Sequence, residues 1–136
     1  MLLAETHVGK VITCQVTYVD GSNSTENLTT STYTPVSHKP VFTMKVNGAT
    51  VAAGTTVKLG DVCTMSVTDP DGIASSVTFK WYSGAGVTFS NTSSVTIVDT
   101  MLQAASFYMH GYARWTDSVG TDELVGGYLI VPAKGK

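Results

Sequence analysis

The sequence predicts an all-β chain: one complete two-sheet antiparallel sandwich preceded by the C-terminal part of a second copy. Three observations carry this. Thr (21) and Ser (13) are abundant beside 43% apolar and only 13% charged residues, a balance that suits strands with one wet and one dry face. Apolar and polar residues alternate with a period of two along several short runs, which is the signature of a strand. A gapless repeat relates two parts of the chain at a spacing of 97 positions, as 117 − 20, 123 − 26 and 132 − 35 each show.

The repeat orders the elements. Tyr18-Val19-Asp20 matches Trp115-Thr116-Asp117, Glu26 matches Glu123, Leu28 matches Val125 and Pro35 matches Pro132. Ile12, Cys14, Val16 and Tyr18 alternate with Thr13, Gln15 and Thr17, and the same face of the second copy reads Met109, Gly111, Ala113, Trp115. A turn rich in Gly, Ser and Asp follows each run, so each copy reads as a hairpin. Between the hairpins the expected strands are 41–46, 50–58, 61–68, 77–82, 87–89 and 95–98, separated by turn clusters such as Asn47-Gly48 and Asp69-Pro70-Asp71-Gly72. Seven or eight short strands in roughly 100 residues fit an aligned sandwich.

A chain of 136 residues has room for one well-buried domain and an appendage. The expected organisation is a partial repeat over 1–37, a junction at 38–40, a complete sandwich over 41–133 and a tail at 134–136. The first copy lacks counterparts of 41–97, so its apolar face, Ile12, Cys14, Val16 and Tyr18, is expected to be an assembly face covered by other strands.

These residues resemble the tandem immunoglobulin-like (Big or cadherin-like) repeats of bacterial surface proteins and bacteriophage structural proteins. The resemblance rests on Asp69-Pro70-Asp71-Gly72-Ile73, on Phe79-Lys80-Trp81-Tyr82, and on Val8-Gly9-Lys10-Val11-Ile12 running through Tyr18-Val19-Asp20-Gly21 to Glu26. In the second copy the Val-Gly-Lys element becomes Ala105-Ser106-Phe107, and Asp-Gly becomes Asp117-Ser118. The resemblance implies an immunoglobulin-like Greek-key β-sandwich and a structural or adhesive role. Its implied setting is a phage virion, as a capsid decoration, tail or fibre component; the alternatives are a bacterial cell-surface or secreted stalk or adhesin, and a carbohydrate-binding module.

Candidate residues divide into core and surface. Alternation places Val77, Phe79 and Trp81 on one face, so Trp81 reads as a core residue, as does Trp115. Cys63 occupies the second-strand position of the sandwich and Gly111 its sixth-strand counterpart, so Cys63 and Cys14 read as free thiols behaving as small hydrophobes. His110, Tyr112 and Arg114 stand at period two on the outward side of the strand at 106–116, a stripe suited to a protein or glycan partner. Tyr112 and Tyr82 are the candidates for an aromatic platform. Asp69 and Asp71, and the group Asp117, Asp122 and Glu123, offer oxygens to calcium, although each cluster supplies fewer than the 6–8 oxygens that calcium takes.

The exclusions are plain. A net charge of −2 with eight Lys and Arg spread along the chain gives no basic stripe for nucleic acid. No apolar run approaches the roughly 20 residues of a membrane span. The start, Met1-Leu2-Leu3-Ala4-Glu5, lacks the basic and apolar segments of a secretory signal. His7, His38 and His110 neighbour no nucleophile motif, so no enzyme and no cofactor are expected, calcium being the single metal candidate. The expected partners are other protein chains, as a homo-oligomer or virion proteins, and a host-surface glycan.

Overall fold

A computed structural model describes residues 10–33, 38–118 and 120–135. Val8, Gly9, Pro35 and Val119, on which parts of the sequence reading fall, lie outside these residues. The chain is all-β and divides into two compact units, Met1–His38 and Lys39–Lys136.

In the first unit β1 (Gln15–Val19) pairs antiparallel with β2 (Thr25–Thr29), Val16 opposite Leu28 and Tyr18 opposite Glu26. The connecting turn is built by Asp20, whose Oδ1 accepts the Ser22 and Ser24 amides at 2.8 and 2.9 Å. Asn23 takes the left-handed conformation at φ 66°, which Asn tolerates better than most residues. The strand is shorter than the alternation predicts. The Cys14 amide donates to Thr30 Oγ1 at 3.0 Å instead of to a backbone carbonyl; the regular ladder therefore starts at Gln15, and Ile12 joins only through an isolated bridge to Tyr33.

The second unit is a sandwich of two four-stranded sheets. One has the order β4-β3-β5-β8, from β3 (Val41–Val46), β4 (Ala49–Val51), β5 (Val62–Thr68) and β8 (Ser94–Thr96). The other has the order β10-β9-β6-β7, from β6 (Thr78–Ser83), β7 (Thr88–Ser90), β9 (Phe107–Thr116) and β10 (Asp122–Val131). The chain crosses between sheets after β5, β7 and β8, the Greek-key path of an immunoglobulin-like fold. A short 3₁₀ turn, Asp99–Met101, lies on the last crossing.

The strand expected over 50–58 is a correction. It ends at Val51, and the chain then leaves its sheet to lie parallel against β10 of the opposite sheet. Val57 N–H donates to Ile130 O, and Ile130 N–H to Thr55 O, both at 2.9 Å. Alternation cannot signal such a switch, because both halves of the segment are extended. The expected tail is also tied down: Lys134 N–H donates to Gln103 O at 2.7 Å, and its ammonium meets Asp99 at 2.9 Å.

The core lies between the two sheets. Trp81, Cys63, Met109, Leu129 and Val131 are fully buried there, with Met44 and Met65 close to it. Gly111 on β9 faces the Trp81 ring so closely that a Cβ there would stand 2.9 Å from Cζ3 and 3.3 Å from Met65 Sδ. The indole of Trp81 fills the space that a residue-111 side chain would occupy. Cys63 is a free buried thiol. Burial, reinforced by the charge of Asp61, pushes its pKa up to about 11.

Candidate functional site

The outer face of β6, β9 and β10 is built by strand register. Lys80 lies opposite Tyr112 and Tyr82 opposite His110 across β6 and β9. Leu124 faces Arg114, Gly126 faces Tyr112 and Tyr128 faces His110 across β9 and β10. Directly opposed residues share a face, so three rows run across the sheet: Thr78–Arg114–Leu124, Lys80–Tyr112–Gly126 and Tyr82–His110–Tyr128. The stripe His110, Tyr112, Arg114 is the middle column of this array.

The rings form one connected set. His110 stacks on Tyr82 with centroids 5.4 Å apart, and Tyr112 meets Tyr82 edge-on at 5.9 Å. Tyr128 lies 6.2 Å from His110 and meets Tyr108 edge-on at 5.3 Å. Lys80 Nζ sits 5.7 Å from the Tyr82 centroid, within reach of a cation–π attraction. The hydroxyls of Tyr82, Tyr108, Tyr112 and Tyr128 make no hydrogen bond to any described residue. Gly126 leaves a shallow depression walled by Tyr112, Arg114, Leu124 and Tyr128.

Arg114 is engaged by Asp122, Nη2 to Oδ2 at 2.6 Å and Nε to Oδ1 at 3.2 Å. The bond to Arg114 holds the Asp122 carboxyl below its ordinary pKa, and the same bond raises that of the guanidinium. Both side chains are exposed, so this pair orients Arg114 more than it stabilises the fold.

The acidic residues group differently from the expectation. Asp122 and Glu123 are neighbours in β10 and point to opposite faces, so Asp122 stands apart from Asp117. Asp69, Asp117 and Glu123 instead come within 4.8 Å of one another. Asp69 Oδ2 accepts the Trp115 indole N–H at 2.8 Å and its Oδ1 the Asp71 amide at 2.9 Å. Asp117 Oδ1 accepts the Thr121 amide at 2.7 Å. Three carboxylates with these oxygens already engaged supply far less than a calcium ion's ligand set. The motif around Asp69 and Asp71 is a turn that anchors Trp115, which is buried as expected.

The hairpin of the first unit carries the other candidate face. Every residue of β1 and β2 is exposed, including Val16, Tyr18 and Leu28. Cys14 is exposed as well and Ile12 half-buried.

Sequence reasoning found the middle column and Tyr82 but missed Tyr108, Tyr128 and Gly126. The repeat held the missing signal for β10: pairing Trp115 with Glu123 also brings Tyr128 opposite His110. Compared with known proteins, the chain matches no family model, no curated protein and no solved structure.

Proposed function

We propose that this chain is a non-enzymatic structural and binding protein of a phage virion, a capsid decoration, tail or fibre component that assembles through strand completion or edge contacts. One observation carries the reading: β1–β2 repeats β9–β10 at a spacing of 97 residues, in the same register and with the same Asp-built turn. In the complete sandwich that hairpin is half of one of the two sheets that close the core. In the first unit it leaves Val16, Tyr18 and Leu28 to be covered by equivalent strands, belonging either to further residues of a longer chain or to another protein.

The role is passive and mechanical, a stiff sandwich positioned by its neighbours and offering its outer face to a partner. The virion setting rests on the resemblance to phage immunoglobulin-like repeats. A bacterial surface stalk shares the tandem arrangement and is the second reading. Peptide mass spectrometry of purified particles and of cell envelopes from the natural source separates the two. Peptides of 41–133 in the particles support the virion component, and peptides confined to envelopes overturn it. The intact mass tells which cover the hairpin has: a value near 14.3 kDa means that another chain supplies the strands.

A further inference from the structure

We propose that the outer face of β6, β9 and β10 binds a carboxylate-bearing glycan, the sugar lying over Tyr82, Tyr112 and Tyr128 and its carboxylate meeting Lys80. The proposal rests on the reading of the chain as a binding module and adds the chemistry of its ligand.

Shape comes first. Gly126 stands opposite Tyr112 and two positions from Tyr128 on the same face, so the row of side chains has a gap one residue wide beside two rings. The gap opens as a shallow depression, suited to a flat ring lying on the surface. A pyranose has that form, with a C–H face that packs on aromatic rings and a rim of hydroxyls. The rings offer apolar faces, and four phenolic hydroxyls around them have no protein partner among the described residues, so one end of each is apolar and the other is free to hydrogen-bond.

Charge then selects among ligands. The chain as a whole carries a formal charge of −2, yet the ionisable groups of this face other than tyrosines are Lys80, His110, Arg114 and a single carboxylate, Asp122. Arg114 neutralises that carboxylate. Lys80 has only the Tyr82 ring, which leaves a positive charge beside the platform on an acidic protein. An aromatic site of this kind would otherwise attract a quaternary ammonium, but the uncompensated charge of Lys80 repels one. A protein partner would have to bury Lys80 near the centre of the contact, where lysine is depleted.

The test is a glycan array carrying neutral oligosaccharides and their sialic-acid and uronic-acid counterparts, read with the full chain at low and high salt. Expected is binding to the acid-bearing members that weakens with salt and falls about tenfold or more in Tyr112→Ala and in Lys80→Glu, as loss of a stacking or charge contact implies. Thermal melts of both variants check that the fold is kept, and either variant suffices. Retained binding in folded variants, equal binding of neutral counterparts, or no binding to any array member overturns the proposal. Sedimentation of the wild type as a dimer that Tyr112→Ala dissociates also overturns it, assigning the face to a second copy. Failure here leaves the particle experiment untouched, so the two readings fall separately.

Discussion

Gly111 and Trp81 show how one missing side chain places the largest one. A Cβ at 111 would meet the indole at 2.9 Å, so Gly111→Ala should cost about 2 kcal/mol, typical of overpacking in a tight core, measured by urea unfolding. The first copy has Cys14 at the matching position, where the side chain is exposed. Cys63 gives a pH signature. Below pH 9.0, its ordinary value, the thiol is protonated in both states. Above it the unfolded thiol ionises while the folded one holds its proton until about pH 11. Stability from this group is therefore full below pH 9 and is lost as pH rises through 11. Urea midpoints of wild type and Cys63→Ala should converge over that window. A thiol reagent at neutral pH should label Cys14 in the native chain and Cys63 only after unfolding, as intact mass will report.

Elements are held by turns that the two hairpins share. Asp20 and Asp117 each accept the amide four residues on, and Asn23 and Gly120 each take a positive φ, 66° and 94°. Gly120→Ala should destabilise by about 1 kcal/mol, because the native backbone there disfavours a Cβ, while Asn23→Gly should leave its hairpin intact by NMR shifts. The Asp69 turn is tied to β9 through Trp115 Nε1 at 2.8 Å. Asp69→Ala should lower stability by about 2 kcal/mol by leaving the buried indole N–H unpaired, and Asp69→Asn should recover much of it. The same melts with Trp115→Phe as partner variant separate the hydrogen bond from the turn. The alternation overran where a turn with Gly54 at φ 83° moves the chain from β3 to β10 after Val51, and before Gln15, where the hairpin ladder gives way to the isolated Ile12–Tyr33 bridge.

At the scale of the molecule the two units differ in what they bury. Lys39–Lys136 closes a core between two sheets, whereas β1 and β2 are exposed throughout. A fragment of residues 39–136 should melt cooperatively with the midpoint of the full chain by circular dichroism. Hydrogen exchange should find Met109–Ala113 strongly protected and Val16–Tyr18 exchanging far faster, because an isolated two-stranded hairpin is marginal in water.

The sequence by itself determined the all-β class, the 97-residue repeat and the buried positions of Cys63, Trp81 and Trp115, since period-two alternation and turn chemistry are local and survive without a fold. It also placed His110, Tyr112 and Arg114 together, because they share one face of one strand. Only the tertiary structure decided the rest. It brought Asp69 to Trp115 across 46 positions, moved Thr55–Val57 onto the opposite sheet, separated Asp122 from Asp117, and set Tyr82 and Tyr128 on either side of His110. Those are relations between strands, and they are set by which edges pair and which faces must close over Trp81.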